Sequence, residues 1–187
     1  GCESSLAEMQ AIADIAIEHD LWVLSDEAYF EMRYSGTSTS IASLPGMAER
    51  TVILYTFSKK FAMTGWRLGC AVAPVPVAEM IAKLNTNDES CTTHFVQAAG
   101  VEAIAHPEGA APMLAELQRR RDAAVDGLAA IDGITCATPD ATFYLFPNVT
   151  AVMSRMGFAA VGDFATAALQ NAGVSFCTRQ HFGRPQA

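Results

Sequence analysis

Lys59 closes the run Thr56-Phe57-Ser58-Lys59, with Asp26 upstream of it and Arg67 a short step downstream. These three side-chain types carry complementary chemistry. An amine condenses with a carbonyl to form a Schiff base. A carboxylate pairs with a protonated ring nitrogen, and a guanidinium grips a phosphate through parallel hydrogen bonds. Pyridoxal phosphate presents all three partners, so the question is whether the fold gathers amine, carboxylate and guanidinium around one ring.

The elements that must position them are legible as short apolar runs. Residues 21–25 read as a buried strand with Asp26 at its carboxyl end, and residues 51–57 form a second run rich in β-branched and aromatic side chains. Lys59 lies just past that second run. Ligands of open α/β sheets sit beyond the carboxyl ends of parallel strands, so both residues are expected at one crevice. A third run, residues 68–73, stops at Pro74. About ten residues separate it from the second, the minimum for a parallel crossover, so it is expected to run antiparallel. Arg67 would then start the third strand near Lys59.

Taken singly, each residue has an ordinary reading. Asp26 and Tyr29 suit a strand-to-loop turn, Lys59 suits a solvated surface, and Arg67 suits an apolar edge covered by its stem. Their joint order argues otherwise, and it comes with a longer pattern. Asp26-Glu27-Ala28-Tyr29 followed by the stretch from Phe57 through Thr64-Gly65-Trp66-Arg67 to Gly69 resembles the class I aminotransferases of PLP fold type I, in particular the aspartate-aminotransferase-like subgroup. The resemblance runs from residue 1 to about Gly183.

That resemblance implies a role for each matched residue. Lys59, rather than Lys60, holds pyridoxal 5'-phosphate as a Schiff base and shuttles a proton. Asp26 pairs with the ring nitrogen and keeps it protonated. Tyr29 donates to the ring oxygen. Arg67 binds the phosphate with hydroxyl help from Thr56 and Ser58; family members often carry serine or another small residue at the Thr56 position. It also implies amino acid and 2-oxo acid substrates, and a homodimer. A PLP-dependent lyase on the same site, or a PLP-binding regulatory module of a transcription factor, are the alternatives.

Composition is consistent with an enzyme core. The 187 residues are 51% hydrophobic with a net charge of −8, which supplies a core and gives nucleic acid or an anionic membrane no basic patch to bind. No apolar run reaches a membrane span, and five scattered cysteines without a C-x-x-C pair point to reduced thiols in the cytoplasm. The four histidines lack metal-ligand spacing, so no metal is expected.

The expected fold class is α/β: a partial fold type I PLP-transferase whose sheet is mostly parallel with one antiparallel strand, flanked by helices, plus an incomplete small α/β domain. Ser5 and Glu8 form a capping box opening a helix that carries Leu6, Met9, Ala13 and Ile17 at helical spacing. Further helices are expected over residues 75–84, 91–105, 112–131 and 162–171, with a polar loop at 85–89 and the Arg119-Arg120-Arg121 triplet solvated. Strands are expected at 135–137, 142–146 and 174–177. The domain boundary is placed near residue 107: residues 1–106 would be the C-terminal part of the large PLP-binding domain, and 107–187 a linking helix with the incomplete small domain.

Two departures from the family pattern stand out. Members often carry glycine just before the aromatic pair matched by Phe143-Tyr144, where this chain has Ala141-Thr142. The segment Thr86-Asn87-Asp88-Glu89 is unusually acidic for one that, in the family, often lies near the partner subunit's cofactor, so its carboxylates are expected to point away from that phosphate. Residue 1 resembles the position after the family's Asn-Pro-Thr-Gly turn, and residues 178–183 resemble the turn before the arginine that clamps the substrate carboxylate. Neither Arg179 nor Arg184 matches that motif. The chain is therefore expected to be an internal fragment of a protein about twice as long, lacking much of the substrate-reading shell.

Overall fold

A computed structural model describes residues 4–183. By contact, the chain divides into two compact units, Gly1–Arg121 with Pro139–Tyr144, and Asp122–Thr138 with Leu145–Ala187. The division falls within a long helix. Contact compactness and domain ancestry are different properties, since the two ends of a bridging helix can pack with different partners.

The first unit opens with α1, Leu6–Glu18, started by the expected capping box: Ser5 Oγ accepts from the Glu8 backbone N–H at 3.2 Å, and Glu8 Oε2 accepts from the Ser5 N–H at 2.7 Å. The Ser5 N–H foremost, and the Ser5 hydroxyl, which also donates to Glu8 Oε2 at 2.8 Å, hold the Glu8 carboxyl below its ordinary value. The buried face of α1 is Ala13 and Ala16, packed with Ile41 and Met47, whereas Leu6 and Ile17 are exposed.

Strand β1, Val23–Asp26, runs parallel to β2, Thr51–Thr56, with Asp26 opposite Leu54. Strand β3, Gly69–Val72, pairs antiparallel with β2 and sets Gly69 opposite Thr56. The order β1-β2-β3 makes one sheet. As the short connection requires, β2 reaches β3 without an α-helix, through one short 3-10 turn at Thr64–Trp66. That connection is anchored from below: Phe57, Met63 and Leu68 cluster with Val96 of α3, His94–Ala105. Gly100 lets α3 approach, because a Cβ there would stand 2.5 Å from Leu68 Cδ2.

Several expected boundaries change. Helix α2 runs from Val75 to Asp88, so residues 85–88 belong to its last turn and not to a loop. Asparagine, threonine and aspartate cost only tenths of a kcal/mol each in a helix, and here the Thr86 hydroxyl donates to the Ala82 carbonyl at 3.1 Å within the ladder. Helix α3 begins at His94, later than expected. In α4, Ala111–Ala129, Arg119 and Arg120 share Glu116 on a wet face. Arg121 does not follow them: its guanidinium lies 4.2 Å from the Tyr34 ring centroid and donates to the Pro139 carbonyl.

The second unit holds the end of α4, then α5, Thr150–Met156, which had no distinct signal in the sequence, and α6, Val161–Ala172. Gly173 ends α6 in the left-handed region, at φ 67°. The strands expected at 135–137, 142–146 and 174–177 do not form. Thr135 makes only an isolated antiparallel bridge to Asn148, and Ala141 one to Arg33. A ladder needs consecutive extended residues beside a matching edge, and Thr142 at φ 64° breaks the run at its start. Among the described residues no helix is long and apolar enough to cross a membrane.

Gly69 is the position where the sheet tolerates least. A Cβ there would meet the Tyr55 carbonyl oxygen at 2.9 Å, a backbone atom of the adjacent strand. Gly69→Ala is expected to cost about 1–3 kcal/mol, seen as a lower urea midpoint at unchanged slope. An unchanged midpoint would show the β2–β3 edge to be looser than described.

Candidate functional site

The sheet register brings three distant stretches to one edge. Strands β1 and β2 both end there, and antiparallel β3 begins there, so Asp26, Lys59 and Arg67 all emerge at the same end of the sheet. Each is then turned by local bonds. Asp26 Oδ1 accepts from the Ala28 N–H at 3.1 Å, and the Glu27 N–H donates to the Leu54 carbonyl at 2.9 Å, which curls the chain after β1 and presents Tyr29. Past β2, Thr56 Oγ1 accepts from the Ser58 N–H at 3.2 Å and lies 3.0 Å from Ser58 Oγ, joining the two hydroxyls. Arg67 follows the short turn in the left-handed region, at φ 55°, and its Nη1 donates to the Thr64 carbonyl at 3.1 Å.

Lys59 and Tyr29 come together. The Lys59 ammonium lies 5.6 Å from the Tyr29 ring centroid and 5.7 Å from that of Phe143, within cation–π range. Neighbouring Lys60 points elsewhere, into an ion pair with Glu31. The Tyr29 hydroxyl sits 2.7 Å from that of Tyr144, and its ring meets both Phe143 and Tyr144 edge-on. Burial pushes the Tyr29 phenol well above its ordinary value, aided by the bond to Tyr144, the charge of Tyr144 and the charge of Asp26.

Arg67 lines a cavity of about 650 Å³ together with Gly65, Trp66, Glu89, Cys91 and Thr92 among others. Among the described residues, that lining does not include Asp26, Tyr29, Thr56, Ser58 or Lys59. Glu89 lines the same space as Arg67. Arg184, weighed as a carboxylate clamp, lies outside the described residues; Arg179 sits in a short 3-10 turn of the second unit. The Tyr144 contact to Tyr29 carried no local sequence signal, being set by pairing across the fold.

The donor set suits pyridoxal phosphate. An ammonium, a phenol and a carboxylate emerge at the same sheet edge as two joined hydroxyls and a guanidinium, matching an aldehyde, a ring oxygen, a ring nitrogen and a phosphate.

A raised phenol pKa has a signed consequence for stability. Between the ordinary tyrosine value of about 10 and the higher folded value, the folded chain keeps a proton that the unfolded chain has lost. Stability therefore falls as pH rises through that window. Urea midpoints measured above about pH 10 should fall less steeply in Tyr29→Phe than in the wild type; equal slopes would place the alkaline sensitivity elsewhere.

Known proteins place the chain in a family. The family model described as aminotransferase class I and II matches residues 1–186. The aspartate aminotransferase of Musicola paradisiaca is 36% identical over 181 residues, covering 96% of this chain and 44% of that protein. In solved structures, the aspartate aminotransferase from Rhizobium meliloti superposes with a TM-score of 0.90 at 31% identity, covering 98% of this chain and 48% of that one. The aromatic aminotransferase from Pyrococcus horikoshii does so with a TM-score of 0.88 at 34% identity, covering 98% and 49%. The chain thus spans about half the length of the relatives it matches, with the fold type I architecture over that span. By sequence match and by structure, this chain belongs to the class I and II aminotransferases, a pyridoxal phosphate-dependent family.

Proposed function

We propose that the protein is an aminotransferase that moves an amino group from an amino acid to a 2-oxo acid, using pyridoxal 5'-phosphate at the sheet edge of the first unit. The observation that carries this reading is the divergence of two adjacent lysines. Lys60 is tied to Glu31, whereas the Lys59 ammonium rests against Tyr29 beyond the carboxyl end of β2.

When bound, the cofactor supplies an electron sink for the substrate's α-carbon. The protein's own groups do the rest. Lys59 would hold the cofactor through its Nζ and, once the substrate amine has displaced it, would carry a proton at the substrate carbon. Asp26 keeps the ring nitrogen protonated by offering it a carboxylate. Tyr29, neutral over the whole physiological range, donates its hydroxyl hydrogen to the ring oxygen. Arg67 takes the phosphate, with Thr56 and Ser58 as hydroxyl donors.

The assignment of residues 1–106 to the C-terminal part of the large domain and of 107–187 to the linking helix and small domain belongs to the same proposal, as does a homodimer. The exposed aromatic pair Trp66 and Phe95 beside the Arg67 cavity supports a subunit contact there. Cytoplasmic residence is supported by the free thiols of Cys70, Cys91, Cys136 and Cys177.

Lys59→Ala should abolish the cofactor's protein-bound absorption band, while Lys60→Ala, which loses the Glu31 pair and a contact with the Phe61 ring, should keep it. A band that survives Lys59→Ala would refute the assignment. Glu89 shares the Arg67 cavity, so Glu89→Gln should tighten binding of the phosphorylated cofactor by about two- to fivefold, the range of an exposed charge pair. Titration of the apoprotein at low salt reads this; unchanged affinity would place the phosphate outside that cavity.

A further inference from the structure

We propose that Tyr144 is a positioning residue for Tyr29: residues 139–144 form a strap that sets the Tyr144 hydroxyl on the Tyr29 hydroxyl and so fixes the phenol beside Lys59. The proposal rests on the function given above, and deepens it by adding a residue that acts through Tyr29.

The strap is held at every step. The Tyr34 N–H donates to the Asp140 carbonyl at 2.9 Å, and the Thr142 N–H donates to the Met32 carbonyl at 2.7 Å, on either side of the Arg33–Ala141 bridge. The Tyr34 hydroxyl donates to the Thr142 carbonyl, and Arg121 covers the Tyr34 ring while donating to the Pro139 carbonyl. Thr142 itself sits at φ 64°, a conformation that costs a β-branched residue energy and persists only where the surroundings over-determine it. Its hydroxyl accepts from the Tyr144 N–H at 3.3 Å, so the side chain that replaces the expected glycine helps aim the aromatic pair. The outcome is a three-ring cluster: Phe143 and Tyr144 each stand 5.7 Å from Tyr29, and Phe143 also faces the Lys59 ammonium.

Proton counting gives this contact a function. Two phenols carry two hydroxyl hydrogens, and their mutual bond uses one. With Tyr144 as the donor of that bond, the Tyr29 oxygen accepts and its own hydrogen points away from Tyr144, in a direction restricted by the 2.7 Å separation of the oxygens. Without Tyr144, the Tyr29 hydroxyl rotates freely and loses part of its preference for one acceptor. Tyr144→Phe removes this bond and keeps the ring, so the packing of the cluster survives the test.

The experiment is a double-mutant cycle in the full-length protein on Tyr144→Phe, Tyr29→Phe and the pair of changes, with two readouts. In the cofactor-free protein carrying tyrosine labelled at Cζ, the Tyr29 resonance, identified by its loss in Tyr29→Phe, should shift in Tyr144→Phe. In the loaded protein, the pH midpoint of the cofactor's absorption band should move in Tyr144→Phe by at most about one pH unit, in the direction given by Tyr29→Phe. The double variant should match Tyr29→Phe alone, which a merely structural role for Tyr144 would not produce. Additive shifts, or an unmoved Tyr29 resonance, would overturn the proposal. Should the wild type take up no cofactor, the proposed function falls, while the cofactor-free resonance still decides whether Tyr144 holds Tyr29.

Discussion

The register of a three-stranded sheet is the constraint on which the site depends. Asp26 opposite Leu54 and Gly69 opposite Thr56 set the ends of two strands and the start of a third at one edge. A slip of one residue would invert every side chain of the slipped strand and carry Asp26 or Arg67 to the other face. A side chain slipped into the place of Gly69 would meet the Tyr55 carbonyl oxygen, which resists such a slip on the β3 side. Below the edge, Phe57, Met63, Leu68 and Val96 pack into a cluster that holds the connection bearing Lys59. The reactive residues are thus placed by core packing and strand pairing, with local turns supplying the last rotation.

Over that edge lies an aromatic cover. Cation–π contact is worth roughly 0.5–1 kcal/mol at exposed sites, too little to bury an ammonium but enough to bias a flexible lysine toward one direction. Tyr29 and Phe143 supply that bias to Lys59, while Glu31 draws Lys60 aside. Adjacent lysines therefore take separate roles because their neighbours differ.

Much of this was legible from residue order. The apolar runs announced three strands, the short connection after Phe57 required the antiparallel turn, and the Ser5–Glu8 box marked the first helix. The stretch from Phe57 to Gly69 pointed to the family before any geometry was known. What stayed hidden depended on tertiary pairing. Residues 142–146 read as a strand, yet they bend away because Thr142 takes a left-handed conformation held by Met32 and Tyr34. Arg121 reads as one of three solvated arginines until Tyr34 is folded against it. The polar end of α2 reads as a loop because propensity alone omits the helix already propagating into it.

The claim that Lys59 is the attachment point is tested most directly by trapping. Borohydride reduction of the cofactor-loaded protein, followed by peptide mass mapping, would leave a pyridoxyl group on the reactive amine. The account predicts that mass on Lys59 alone. A label on Lys60 or Lys83, or none on any lysine, would contradict it.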